Sequence, residues 1–256
     1  ALAGRGARDL SALELGALPA EIQPMGGAIN ALLKRLNAAF EAERSFAANA
    51  AHELRTPLAG AIAQAQRLQV ETADPHARQR ALDIEVTLKR LVRLAERLMQ
   101  LARAEGGRLR LEGQSDLRPV LSLMVEDARR RGALIETELP EASVMSDIDP
   151  DLFGILCRNL LENAERHGTQ GLPIKVLLSA EAGLRVRNDC AAVPAAQLAD
   201  LTARFARADG AGEGSGIGLA IVQTIAERCD GGLVLRSPIP GAERGFEAEV
   251  RLRREA

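Results

Sequence analysis

With 256 residues, 46% of them hydrophobic and 27% charged, the chain is long enough for about two domains with cores of their own. A net charge of −2 excludes a bulk electrostatic pull toward nucleic acid or anionic membrane, and no run approaches the ~18 apolar residues of a membrane span. Three cysteines, Cys157, Cys190 and Cys229, are odd in number and far apart, which argues for a reduced, cytoplasmic setting.

The opening run Ala1-Leu2-Ala3-Gly4-Arg5-Gly6 reads as the interior of a longer protein, without a signal peptide. Ile29, Leu32, Leu33, Leu36 and Phe40 recur at helical spacing and predict a helix over 24–40, its start blurred by Gly26-Gly27. A helical pattern then covers 41–70. Within it His52 and Thr56 lie one turn apart on one face, and Glu53 stands beside the histidine. Leu54, Leu58, Ala61, Ala65 and Leu68 form a separate apolar stripe, and Pro57 should bend the helix just after His52. Thr72-Ala73-Asp74-Pro75 breaks the pattern. A further helix runs to about 105, with Ile84, Leu88, Leu91, Ala95, Leu98 and Ala102 stepping by four and three. Two such helices make an antiparallel hairpin, and one hairpin cannot bury both stripes. Two copies packed as a four-helix bundle can, so a homodimer is expected. A monomeric bundle closed by residues 1–40 is the competing arrangement.

Gly106-Gly107 ends that helix as a hinge, and the pattern changes to mixed α and β. Strands are expected over 109–111, 134–139, 143–148, 174–180, 184–188, 233–237 and 246–252. Helices are expected over 117–131, 150–167 and 216–229, the second capped by Asp149 with Pro150 in its first turn. The stretch 190–215 reads as a long functional loop. Helices on one face of a mixed sheet argue for an α/β sandwich. Asn159, Asn163 and Arg166 share one face of the 150–167 helix. Gly214, Gly216 and Gly218 lead into the 216–229 helix, where close backbone approach and a helix N-terminus suit phosphate.

Taken in order, these motifs resemble the boxes of sensor histidine kinases. The run 45–58 around His52 resembles the H box, and Asn159 to His167 the N box of the GHKL ATPases. Phe205 and Arg207 resemble the F box of the ATP lid, and Gly214-Ser215-Gly216-Ile217-Gly218-Leu219 the G2 box. One box departs from the family's Asp-x-Gly-x-Gly. Aligning on Val186 puts Asn188 where an Asp accepts from the adenine amine, with Cys190 and Ala192 in place of both glycines. An Asn carbonyl still accepts from that amine, though without charge assistance, a loss of ~1 kcal/mol. Asp189 could take over instead, but alternation points it to the opposite face.

The resemblance implies a multidomain α and α+β protein. Residues 1–40 would be the C-terminal part of a HAMP-like linker, 41–106 the dimerising phosphotransfer hairpin, and 107–256 a GHKL-type ATP-binding α/β sandwich. It implies autophosphorylation of His52 from ATP and Mg2+, then transfer to an aspartate on the receiver domain of a response regulator. Glu53 would be the general base, and Thr56 would place water for dephosphorylating the regulator. Asn163 would hold Mg2+ and Arg166 reach the phosphates. No direct contact with nucleic acid is implied. The chain would be the cytoplasmic portion of a bacterial inner-membrane protein, attached through segments upstream. The altered box motivates an alternative, a nucleotide-impaired kinase acting mainly as regulator phosphatase or dimeric scaffold. A GHKL kinase of protein serine is disfavoured, because such kinases lack a hairpin like that around His52.

Overall fold

A computed structural model describes residues 23–106, 109–203 and 216–252, excepting the side chains of 36, 37, 39–55, 106 and 112. Helix α1 (Gln23–Glu71) is a single helix of 49 residues, continuous through 40/41 and through Pro57. The helix runs through Pro57 even though the proline removes one backbone donor. Asp74 Oδ1 accepts from the His76 N–H (2.9 Å) and so starts helix α2 (Pro75–Gly106). Arg78 donates back to the carbonyls of Gln69 (3.1 Å) and Thr72 (3.0 Å), closing the hairpin. Ala65 and Ala81 are buried where the two helices meet, and Glu85 of α2 accepts from Gln66 and Gln69 of α1, both at 2.7 Å. Ile84, Leu91 and Leu98, seven residues apart, stay 52%, 46% and 44% exposed in the single chain.

The chain then forms β1 (Arg110–Asp116), α3 (Leu117–Arg130), β2 (Ile135–Glu138), β3 (Met145–Ile148) and α4 (Pro150–His167). It continues through β4 (Ile174–Leu178), β5 (Gly183–Asn188), α5 (Ala195–Asp200), α6 (Gly218–Arg228), β6 (Gly232–Arg236) and β7 (Phe246–Arg251). Strand β1 is longer than the expected 109–111 because it pairs antiparallel with β3 across a bulge. The other five strands make one sheet in the order β2-β4-β5-β7-β6, parallel only between β2 and β4. Helix α5 lies inside the stretch expected to be all loop.

Asp149 caps α4 as expected, accepting from the N–H groups of Asp151 (2.8 Å) and Leu152 (3.2 Å). Asp116 does the same for α3 and also accepts from Val144 N–H (3.1 Å) and the Arg118 guanidinium (2.7 Å). The Arg118 bond leads in holding the Asp116 carboxyl far below the usual carboxylate range. Phe153, Leu156, Leu160 and Leu161 of α4 meet Leu117 and Leu121 of α3, Ile221 and Ile225 of α6, and Leu184, Val186 and Val250 of the sheet in one core.

Two features organise the molecule beyond this sandwich. On the sheet face away from the helices, Glu247 and Glu249 are 1% and 3% exposed beneath Arg185, Arg187, Arg236 and Arg251. The end of α2 also belongs to the sandwich. Leu101 and Ala104 are buried in its core, and Arg228 of α6 donates to the Ala104 carbonyl at 3.0 Å. Helix α2 ends at Gly106 as expected, but its last turns are already committed to the following domain.

Candidate functional site

The N-box helix has one stripe in the core and an adjoining face that is not. Asn159 is 3% exposed; its Nδ2 donates to the Ile155 carbonyl (2.8 Å) and to Gln100 Oε1 of α2 (3.2 Å). Three residues on, Glu162 pairs with Arg97 of α2 at 3.2 Å. The sequence reading put Asn159 in the nucleotide site. In the structure it is a bolt between the hairpin and the ATPase fold, a role with no local signal because its partner is 59 residues away. Asn163 is half-buried and Arg166 exposed, one turn and two turns further along the same face.

Helix α6 begins against this face. A Cβ built on Gly218 would sit 3.2 Å from Asn159 Oδ1, so glycine is what lets the α6 N-terminus approach the N box. Gly216 has φ +63°, a left-handed conformation that glycine adopts without strain. The backbone N–H groups at the start of α6 have no partner within the helix and carry its positive dipole end.

Asn188 closes β5, on the core-facing side shared with Leu184 and Val186. It is 3% exposed, and its Nδ2 is buried without a hydrogen-bond partner among the described residues. Asp189 is engaged by other partners. It pairs with Arg244 (2.7 Å) and accepts from the Thr169 hydroxyl (2.8 Å), so it does not stand in for the missing Asp. Cys190, half-buried, has its thiol pushed up, first by burial and then by the Asp189 charge. Cys157 and Cys229 are free and buried, and burial pushes Cys229 up to about 11.

The structure thus sets Gly218 against Asn159, with Asn163 one turn further along α4, and places Asn188 of β5 against Gly168 at the C-terminal end of that helix. An orphaned buried amide, a glycine where a side chain would crowd the N box, and an amide oxygen on the intervening face fit a nucleotide with its metal. Thr56 is exposed on α1, while the side chains of His52 and Glu53 lie outside the described residues, as do Phe205, Arg207 and Gly214.

Residues 42–107 match the family model of the His Kinase A (phospho-acceptor) domain. Residues 148–256 match that of the histidine kinase-, DNA gyrase B-, and HSP90-like ATPase. The chain is 32% identical over 248 residues to Sensor protein QseC of Escherichia coli (strain K12), covering 91% of this chain and 53% of that protein. It thus spans about half the length of that relative. It is 31% identical over 268 residues to Sensor protein BasS of the same strain, covering 99% of this chain and 70% of that protein. Among solved structures, ShkA full-length in complex with AMPPNP shares the fold at a TM-score of 0.57 and 21% identity, over 83% of this chain and 47% of that one.

Proposed function

The chain belongs to the sensor histidine kinases, and from that premise we propose that it moves a phosphoryl group from ATP to His52 and on to an aspartate of a response regulator receiver domain. The observation that carries this reading is Gly218 at the α6 N-terminus set against Asn159 on α4, a helix tied directly to the hairpin that bears His52. The neutral imidazole of His52 attacks the γ-phosphorus, a nitrogen–phosphorus bond forms, the β–γ bridging bond breaks, and ADP leaves with that electron pair. Glu53 takes the proton from the other ring nitrogen. An imidazole with an ordinary pKa near ~6.5 is largely neutral at pH 7.

Asn163 would offer its amide oxygen to Mg2+, which when bound supplies charge neutralisation across the phosphates. Among the described residues no cluster of three His, Cys, Asp or Glu side chains could hold a metal by itself, so the phosphates would complete the coordination. Arg166 and the α6 N-terminus take the remaining phosphate charge. Thr56, exposed beside the histidine's helix face, places water for the reverse hydrolysis of the regulator. The nucleotide-impaired alternative is weaker, because Asn188 is buried in place with its donor still free to bind a base.

The homodimer rests on Ile84, Leu91 and Leu98, a heptad line left uncovered in one chain. Leu91→Glu is expected to convert the dimer to monomer in sedimentation equilibrium, and a variant that stays dimeric would place the interface elsewhere. Residues 1–40 are read as the end of a HAMP-like linker, and the continuity of α1 through 40/41 would carry movement to His52. No described helix is long and apolar enough to cross a membrane, and inner-membrane attachment is proposed through segments upstream.

The test of the kinase is incubation with γ-labelled ATP and Mg2+. An acid-labile, base-stable label that disappears in His52→Ala is the expected result. No label in the folded protein at millimolar ATP would overturn it.

A further inference from the structure

Resting on the reading of this site as a nucleotide site, we propose that Asn188 removes its selectivity for the adenine base, so that GTP and ITP bind beside ATP. Asn188 is 3% exposed, and its Nδ2 has no hydrogen-bond partner among the described residues. The backbone around it is closely packed. A Cβ on Gly168, at the end of α4, would lie 3.5 Å from the Asn188 Cβ, and one on Gly245 would lie 3.2 Å from the Asn188 carbonyl oxygen. The neighbouring Cys190 thiol, raised first by burial and then by the Asp189 charge and drawn down by the Asn188 side chain, offers that amide only a weak sulfur acceptor. A buried donor left unmet is destabilising, and a ligand with an acceptor at that point would relieve it.

A carboxylate and an amide ask different things of a base at this position. A carboxylate only accepts. It takes the 6-amino hydrogens of adenine, and in the same pose it would face the lone pairs of a 6-oxo group. An amide has one accepting oxygen and one donating nitrogen side by side. With adenine, Oδ1 accepts from the 6-amino group and Nδ2 donates to N1. With a 6-oxopurine, Nδ2 donates to O6 and Oδ1 accepts from N1–H. The two arrangements differ by a half-turn of the amide, whose Nδ2 holds no hydrogen bond among the described residues. Asp189 does not restore adenine selectivity, because its carboxylate is engaged by Arg244 and Thr169.

Titration calorimetry of the whole chain with ATP, GTP and ITP in Mg2+ tests this without relying on turnover. The dissociation constants of GTP and ITP are expected within about tenfold of that of ATP. In Asn188→Asp, ATP should tighten and both 6-oxopurines weaken, moving the ratio by more than about tenfold. Thermal melting checks that the variant is folded, and if it is not, the wild-type ratio alone decides. ATP binding with GTP and ITP more than about tenfold weaker overturns this inference and leaves the kinase intact. An unchanged ratio in folded Asn188→Asp also overturns it. Failure of all three nucleotides to bind overturns both this inference and the proposed function.

Discussion

Replacing Glu247 by alanine is expected to lower the unfolding free energy by about 2–3 kcal/mol, read as a lower urea midpoint at unchanged slope. The carboxylate is 1% exposed and accepts from Arg187 Nε and Arg236 Nη1, both at 2.5 Å. Burial alone would raise its pKa, but the two guanidiniums outweigh burial and hold it below the ordinary range. Alanine leaves Arg187 facing an empty socket and Arg236 held by Glu249 alone, at 2.8 Å. Their side chains are 39% and 31% exposed and can turn to water, which keeps the loss below the largest values for severed buried pairs. Glu247→Gln keeps an acceptor and should cost about half as much.

The same network sets an acid limit. Glu249 is bonded first to Arg251 and also to Arg236, and its carboxyl is lowered to about 2. A folded pKa below the unfolded value means that the stabilisation is complete above pH ~5 and is lost as pH falls toward ~2. Urea midpoints at pH 7, 4 and 2.5 should fall in that order, with a shallower acid limb in Glu249→Gln. Equal limbs would show that the arginine grid contributes nothing to acid sensitivity.

Asn163→Ala is expected to reduce labelling of His52 by about a hundredfold or more while the protein melts as before. Asn163 is half-buried on the face of α4 beside the core stripe of Phe153, Leu156, Leu160 and Leu161, so its truncation opens no core cavity. On the proposed function its amide oxygen is the protein's contribution to the metal. Phosphoryl transfer depends on that neutralised charge far more than on covalent chemistry by the chain. ATP affinity in calorimetry should fall alongside the label. Full labelling in the variant would remove Asn163 from the metal site.

Much of this architecture is written locally. The hairpin follows from apolar residues at helical spacing interrupted at Thr72 to Asp74, and α4 from Asp149 and Pro150. Both depend on contacts within a few residues, so a reader of the chain meets every participant together. Helix α5 was hidden because Pro, Ala and Gly nearby suggest loop, and six residues are too few for a periodic signal.

The sequence by itself determined the order of the boxes, the position of His52, the helices and most strands, because each rests on short-range spacing and capping. It also marked Asn188 as a departure. Only the tertiary structure decided that Glu247 and Glu249 are buried rather than solvated, since four arginines on three strands of the sheet close over them. Only the fold joined Gln100 to Asn159 and Arg97 to Glu162, across 59 and 65 residues. Only the fold left the Asn188 amide buried with an unmet donor. A residue's type states which hydrogen bonds it is able to make; which of them remain unmade depends on long-range packing.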